Sequence, residues 1–358
     1  MKRFSLAVAI LLASCGAAVG QESKPSDAAP AKVAVPETAV LQAGDPAPAL
    51  SIEKWVKGEA VTGFEAGRTY VVEFWATWCG PCIASMPHLS ELQSHYKKDG
   101  LTIIGVTSKD PNNSLEAVEK MVADKGDGMG YTVAWDKNRD TSTAFMNAAK
   151  RNGIPCSFVV DKAGKIAYIG HPMFLDLVLP DVIGGTWDSK AGAERVKNAE
   201  KDISGLYRKM AGDPAEALTA IDAFEKAYPT LASLSTNLKY TAQLRTGDSG
   251  AYKTGEKLMA KHIASKNAEG LNELAWTIVD PDGEVKNKNV DFALKAAQEA
   301  STLTGGKDPA ILDTLARCWF MKGDKAKAIE IQTKAVSLAK GGMKAQLEEV
   351  LAEYKAAK

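Results

Sequence analysis

The sequence has few of the residues that cross-link or anchor a protein, with 5 cysteines and 4 histidines among 358 residues. Only two cysteines stand close together, which excludes a small scaffold held by several disulfides. The longest apolar run, residues 4–13, is about half as long as an apolar helix that spans a bilayer. A polytopic membrane protein is therefore excluded as well.

An excess of charge of either sign is also missing. Lys and Arg total 44, Asp and Glu total 44, and the chain is 45% hydrophobic and 25% charged. These values are typical of globular proteins, whereas a nucleic-acid-binding surface needs a clear excess of basic residues. We expect no nucleic-acid partner. The length allows about two domains at roughly 150 residues each.

The N-terminus has the features of an export signal. A basic Met-Lys-Arg start precedes the apolar run and small residues follow it, which is the order of a secretory signal peptide. Cleavage after Gly20 would remove residues 1–20. The Leu-Ala-Ser-Cys sequence that ends at Cys15 instead resembles a bacterial lipobox, for which residues 1–14 would be removed and Cys15 lipidated. Both alternatives predict a protein of the bacterial periplasm or cell envelope, and the second adds a lipid anchor.

Two regions of different composition follow. Residues 21–43 are rich in Ala, Pro, Glu, Lys and Ser, which predicts a flexible linker. In residues 44–187, short β-branched and aromatic runs alternate with amphipathic stretches, which predicts an α/β domain with a mixed central sheet flanked by helices. The strand-like runs are residues 71–75, 101–106, 131–135, 157–160 and 166–169. The helical stretches are residues 82–96, 115–123 and 141–149.

Residues 190–358 have a helical pattern throughout, with apolar residues at i, i+3 and i+4. Ala293 and Ala300 precede Ala328 and Ala335 by 35 positions each. Small residues at such a period let paired helices approach closely, which is typical of tetratricopeptide repeats. We expect an all-α tetratricopeptide-like domain, in which Cys318 fills the core as a small hydrophobe.

The close cysteine pair is Cys79 and Cys82, separated by Gly80 and Pro81. It follows a strand-like run and opens an amphipathic helix, where backbone amides and the helix dipole favour a thiolate. Cys79 is expected to be the exposed attacking thiol and Cys82 the resolving one. Pro81 lies in the first helical turn, where proline costs no hydrogen bond.

Such a pair can also be half of a zinc site. A second cysteine pair is missing from the sequence, and His88 and His95 lie on the same helix as the motif. We therefore expect no metal. We also expect no cofactor besides the redox-active disulfide between Cys79 and Cys82.

Residues 74–82, Phe-Trp-Ala-Thr-Trp-Cys-Gly-Pro-Cys, resemble the active site of thioredoxin-like thiol–disulfide oxidoreductases, in particular the exported TlpA/ResA type. Residues 44–48 are similar to the first strand of these proteins, residues 86–89 follow the motif at their spacing, and residues 153–155 resemble their cis-proline loop. The resemblance covers about 140 of the 358 residues. It implies a thioredoxin fold and thiol–disulfide oxidoreductase activity.

The resemblance also implies roles for individual residues. Cys79 attacks the substrate disulfide and Cys82 resolves the mixed disulfide. The peptide bond before Pro155 is cis, a conformation that is rare for bonds that do not precede proline. Glu73 matches the acidic position that in thioredoxin itself lies beneath the disulfide, where a buried carboxyl would have a raised pKa suited to moving the Cys82 proton. The alternative is a solvent-facing strand residue. The residues expected to form the redox motif and contact the substrate strand are Trp78, Gly80, Pro81, Ile154 and Cys156.

The sequence departs from the TlpA/ResA pattern at two positions. Ser85 stands where a glutamate is common, so a proton transfer assigned to that acid has no carrier here. Cys156 stands where threonine is usual. It could trap a mixed disulfide or react with oxidant, or it could simply fill the threonine site as a small buried residue.

The leading functional hypothesis is an exported enzyme that reduces disulfides in extracytoplasmic proteins. Gly80-Pro81 is shared with reducing thioredoxins and favours that direction. A membrane-bound electron donor is then expected, because the sequence has no flavin or nicotinamide motif. The alternative is an adaptor whose repeats bind a peptide or protein while the thioredoxin-like half is a scaffold. A thiol peroxidase is disfavoured, because Thr77 and Cys79 do not reproduce the spacing of such a site.

Overall fold

The computed structural model describes residues 40–357 of the chain. The predicted signal peptide, the predicted lipidation at Cys15 and all but the end of the predicted linker lie outside these residues. Among the helices described, none is both long enough and apolar enough to cross a membrane.

A six-stranded mixed sheet forms the centre of the first part of the chain, as the sequence predicts. Its order is β1-β4-β3-β2-β5-β6, with β2, β3 and β4 parallel and the other pairings antiparallel. This is the arrangement of a thioredoxin fold, and every residue of β2 is buried. The strands are β1 (Ile52–Lys57), β2 (Thr69–Phe74), β3 (Leu101–Thr107), β4 (Thr132–Asp136), β5 (Cys156–Val160) and β6 (Ile166–Gly170).

Helices cover both faces of the sheet, because β2 and β3 carry apolar residues on both sides. One face packs on the redox helix α1 and on α2 and α4, and the other packs on the segment after α3. The helices are α1 (Gly80–Tyr96), α2 (Leu115–Lys125), α3 (Asp140–Ser142), which continues as a π-helical turn (Thr143–Asn147), and α4 (Leu175–Gly184).

The expected first strand at residues 44–48 is wrong. Pro46 makes only an isolated bridge to Lys165, and the first strand begins at Ile52. Pro46 and Pro48 lack the backbone N–H that a ladder needs, so this segment cannot pair continuously.

The second part is all-helical, as the sequence predicts, and consecutive helices pack against each other. The four alanines of the 35-residue period are fully buried, which allows the close helix approach their size suggests. Cys318 is buried, and burial raises the pKa of its thiol to about 12. The tetratricopeptide character of the pairs stays a prediction. The helices are α5 (Ser189–Ala211), α6 (Pro214–Ala227), α7 (Ala232–Thr246), α8 (Ala251–Ala264), α9 (Ala268–Val279), α10 (Val290–Leu303), α11 (Pro309–Met321), α12 (Lys325–Leu338) and α13 (Gly341–Ala356).

Trp187 joins the helical region to the sheet. Its indole Nε1 donates a 2.9 Å hydrogen bond to the carbonyl of Ala167 on β6. Its ring lies against Gly192 on α5, where a Cβ atom would come within 2.3 Å of the ring. One apolar core continues from the sheet through α4 to α7. The predicted boundary between residues 187 and 190 falls at the start of α5, and the division into two domains there stays a prediction.

Adding a methyl group at Gly192 should weaken this junction. Gly192→Ala forces the Trp187 ring to move, and overpacking of this kind costs about 1–3 kcal/mol of unfolding free energy. Gly205→Ala in the same helix is the matched control, because its Cβ would meet only the flexible Arg208 side chain, 3.9 Å away. That variant should be stabilised by up to about 1 kcal/mol. Urea unfolding measures both, and equal stability of the two variants would contradict the assignment.

Candidate active site

The N-terminus of α1 carries a disulfide between Cys79 and Cys82. Cys79 is the N-cap residue, and its Sγ accepts the backbone N–H of Cys82 at 3.2 Å. The first turn of the helix contains no acidic residue. When the disulfide opens, the free amides and the helix dipole therefore stabilise a thiolate on Cys79.

The prediction of an exposed Cys79 is wrong for this disulfide state. Only 4% of Cys79 and 2% of Cys82 is exposed. The Sγ of Cys79 lies 3.8 Å from the carbonyl oxygen of Ile154, and the Ile154–Pro155 peptide bond is cis, as the resemblance implies. The proline loop therefore covers the sulfur from a segment 75 residues away in sequence.

The residues around the buried sulfurs are more exposed to solvent than the sulfurs themselves. Gly80 and Pro81 are exposed, Ile154 is half-buried, and the Trp78 side chain is 54% exposed. The indole Nε1 of Trp78 donates a 2.9 Å hydrogen bond to Asp110 Oδ2. An exposed aromatic ring held in one orientation offers a protein partner apolar contact at little entropic cost.

Asn113 fixes the backbone just before the redox motif. Its Oδ1 accepts hydrogen bonds from the N–H and the hydroxyl of Thr77 at 3.0 and 2.7 Å. Its Nδ2 donates to Thr107 Oγ1 at 2.9 Å and to the Ser108 carbonyl at 2.7 Å. The side chain is buried with these partners. Asn113 therefore locks the redox loop to the end of β3.

Sequence reasoning missed Asp110 and Asn113. The signal that could have found them is the Asp-Pro-Asn-Asn-Ser run of residues 110–114, which combines turn formers and a helix N-cap directly after a parallel strand. The carboxyl ends of parallel strands are where binding sites collect in α/β sheets.

Glu73 lies in the middle of β2 and is 1% exposed, so the solvent-facing alternative is wrong. Its Cα pairs across the sheet with Gly105 on one side and Ser157 on the other. The Ser157 hydroxyl donates a hydrogen bond to Glu73 Oε2. Burial raises the pKa of Glu73 to about 8 despite the opposing effect of that hydrogen bond. The carboxyl is therefore mainly protonated at neutral pH.

Cys156 begins β5 directly after the cis proline and is also buried. Burial first, and then the charge of Glu73, raise the pKa of its thiol to about 12. A protonated thiol is a poor nucleophile. This environment favours the small buried residue over the trap for mixed disulfides.

Two further side chains of α1, Ser85 and His88, make polar contacts near the motif or with α4. The Ser85 hydroxyl donates to the Cys82 carbonyl at 2.8 Å, as a helix residue bonds to its own turn. His88 Nε2 lies 2.7 Å from Asp176 Oδ2 on α4. Burial lowers the pKa of His88, but the hydrogen bond and charge of Asp176 outweigh it and the net shift is upward. Within residues 40–357, no group of three or more His, Cys, Asp or Glu side chains is arranged to hold a metal ion.

The raised pKa of Glu73 should make stability depend on pH. The folded chain holds this proton up to about pH 8, whereas the unfolded chain releases it near pH 4.5. Between these values the folded state binds more protons, so its stability falls as pH rises, by at most about 1.4 kcal/mol per pH unit. In Glu73→Gln this contribution is absent. Urea unfolding of both proteins from pH 5 to 8 checks this, and parallel stability curves would contradict it.

A comparison with protein-family models matches residues 42–175 to the Redoxin family. Protein FixW of Rhizobium leguminosarum is 30% identical over 164 residues, which cover 44% of this chain and 72% of FixW. The thiol-disulfide oxidoreductase ResA of Geobacillus kaustophilus is 30% identical over 103 residues, or 29% of this chain. The match spans 54% of that ResA, so the chain covers only about half the length of this relative.

A solved structure, the thiol:disulfide interchange protein of the thioredoxin family from Chlorobium tepidum, is 26% identical with a TM-score of 0.34 and covers 39% of this chain and 96% of its own. The assignment of the chain to a family does not depend on this structural similarity. It depends on the extent of the FixW match, on the Redoxin match, and on the sheet order with the disulfide at the N-terminus of α1. The chain belongs to the redoxin family of thioredoxin-like thiol–disulfide oxidoreductases.

Proposed function

We propose that this protein is an exported enzyme that reduces disulfides in extracytoplasmic proteins through a Cys79/Cys82 dithiol–disulfide cycle. The observation that carries the proposal is the Cys79–Cys82 disulfide, placed at the N-terminus of α1 and against the Ile154–Pro155 loop. This placement combines a stabilised thiolate on one cysteine with a second cysteine within bonding distance.

The cycle starts from the reduced enzyme. The Cys79 thiolate attacks one sulfur of a substrate disulfide, that disulfide breaks, and the first substrate thiolate leaves. Cys82 then attacks Cys79 Sγ, the mixed disulfide breaks, and the second substrate thiolate leaves. Two electrons have passed to the substrate and the enzyme holds the disulfide seen here. A dithiol of a membrane-bound donor would return two electrons by the reverse exchange.

Glu73 would move the proton of Cys82 in this cycle. Val71, Glu73 and Trp75 line one face of the β2 backbone because side chains alternate along a strand. Val71 and Trp75 belong to the core that contains Cys82. When the disulfide opens, the Glu73 carboxyl gives its proton to the Cys82 thiolate, and it takes the proton back when Cys82 attacks.

Residues around the sulfurs would bind the substrate. Trp78 supplies an exposed apolar ring, Gly80 and Pro81 leave space above α1, and Ile154 lies where an extended substrate strand would run along the proline loop. The reducing direction is supported by the Gly80-Pro81 pair between the cysteines, which reducing thioredoxins share. The name of the ResA relatives, thiol-disulfide oxidoreductase, agrees with either direction.

The remaining parts of the chain fit this role. The export signal, with or without lipidation of Cys15, would place the enzyme in the periplasm or cell envelope. The tetratricopeptide-like helices would hold a peptide or protein partner near the redox site, since stacked helical pairs offer concave surfaces of this kind.

Substitution of each motif cysteine should give a different defect. Cys79→Ser should reduce insulin no faster than the dithiothreitol blank, because the attacking sulfur is gone. Cys82→Ser should accumulate a mixed disulfide through Cys79, visible as an adduct by mass spectrometry. Cys318→Ala, which removes a buried thiol outside the site, is the control and should keep the wild-type rate. Full activity of Cys79→Ser would sink the enzyme proposal and favour the adaptor.

The reduction potential should report the direction of electron flow. For a reductase we expect a value near that of thioredoxin, about −270 mV, from equilibrium with thiol/disulfide buffers. Cys79→Ser is the blank. A value of about −120 mV, typical of a strong oxidant, would contradict the reducing direction while leaving the cysteine cycle intact.

A further inference from the structure

Glu73 and Ser157 form an isolated polar pair inside the sheet. Both residues are fully buried, and their Cα atoms are direct partners in the antiparallel pairing of β2 with β5. The Ser157 hydroxyl donates to Glu73 Oε2, while Glu73 Oε1 has no hydrogen-bond partner among residues 40–357. Ser157 is therefore the one hydrogen-bond donor that the described part of the chain offers this carboxyl.

This pair links the two segments that build the active site. Glu73 precedes the redox loop, which leaves β2 at Phe74 and reaches Cys79. Ser157 is the second residue after Pro155, at the start of β5. Both side chains lie on strands of the central sheet, where backbone pairing fixes their positions more tightly than a loop can. A carboxyl tied to Ser157 is thus held on the face of β2 whose neighbours Val71 and Trp75 share a core with Cys82.

We propose that Ser157 is a positioning residue that holds the Glu73 carboxyl for proton exchange with Cys82 and thereby sets the pH range of that exchange. This inference rests on the role of Glu73 in the proposed function. The resemblance to the TlpA/ResA type gave Ser157 no role, and sequence reasoning missed it, because only the register of β2 against β5 brings the two residues together.

The ionisable groups near Glu73 do not stabilise its carboxylate. The ionisable groups whose titration responds to the charge of Glu73 are Tyr131 at the edge of β4, Cys156 on β5 and Tyr168 on β6. Burial raises the pKa of each, so all three are neutral at physiological pH. The Trp75 indole Nε1 is buried without a partner among the described residues. Among residues 40–357 no charged side chain stabilises the Glu73 carboxylate, and the hydrogen bond from Ser157 is the interaction that favours it.

Reduction of the disulfide by dithiothreitol isolates this proton step. A dithiothreitol thiolate attacks Cys79 Sγ, the Cys79–Cys82 bond breaks, and the electron pair leaves on Cys82 Sγ. Cys82 takes the proton of the Glu73 carboxyl. The second dithiothreitol thiol loses its proton to solvent and attacks the dithiothreitol sulfur of the mixed disulfide; Cys79 leaves as a thiolate, and the reagent becomes a cyclic disulfide. The rate constant for reduction of the protein disulfide, divided by the concentration of dithiothreitol thiolate, should therefore fall as pH rises and Glu73 loses its proton.

The experiment measures this rate by stopped-flow fluorescence from pH 6 to 10 in the full chain. In the wild type the fall should be centred near pH 8. In Ser157→Ala the midpoint should move up by about one pH unit, because a hydrogen bond to a charged group is lost. Ser157→Thr keeps the hydroxyl and should therefore keep the wild-type midpoint. Ser157→Val introduces a side chain of the same shape as Thr without a hydroxyl and should behave like Ser157→Ala. This isosteric pair also decides the matter if Ser157→Ala does not fold.

Two controls separate this inference from the function beneath it. Thr69→Val removes a buried hydroxyl from the same face of β2 that has no partner among the described residues, and it should leave the midpoint unchanged. Glu73→Gln, alone or combined with Ser157→Ala, should give a flat profile. A flat wild-type profile would overturn the role of Glu73. A wild-type fall that Glu73→Gln abolishes but that Ser157→Ala and Ser157→Val leave in place would overturn only the role of Ser157.

Discussion

The position of β2 at the middle of the sheet determines where this protein can do its chemistry. β2 pairs with β3 on one side and with β5 on the other. The redox loop leaves the end of β2 at the level where β5 begins after the cis proline. The disulfide, the proline loop and the N-terminus of α1 meet there as a direct result of this pairing. A shift of β2 by one residue would turn Glu73 to the other face and separate it from both Ser157 and Cys82.

The same burial that fixes the site has an energetic cost. An ionised carboxylate inside a sheet is strongly disfavoured, and Glu73 is tolerated because burial raises its pKa until it is mainly neutral at physiological pH. A group in that state can give a proton at neutral pH, which an exposed carboxylate with an ordinary pKa cannot do efficiently. The destabilising position and the chemical capacity therefore have one cause.

Local patterns in the sequence located most of the fold but little of what surrounds the site. The strand-like runs at residues 101–106 and 166–169 match β3 and β6 closely, because period and composition are local properties. The cysteine motif was recognisable for the same reason. The exposure of Cys79 was predicted wrongly, because the covering carbonyl of Ile154 comes from a distant segment. Asn113 and Ser157 were missed since their partners are set by strand pairing and loop approach.

The helical region shows the same contrast and adds a mechanical consequence. Its alanine period was visible in the sequence, whereas the contact of Trp187 with Gly192 depends on how α5 returns to β6. Because one apolar core contains both motif cysteines and residues of α5, α6 and α7, these three helices are packed on the redox region and not merely tethered to it. A partner held by α5, α6 or α7 would keep a nearly fixed position relative to Cys79. Its effective concentration at the sulfur would then depend on geometry, which a flexible linker would average away.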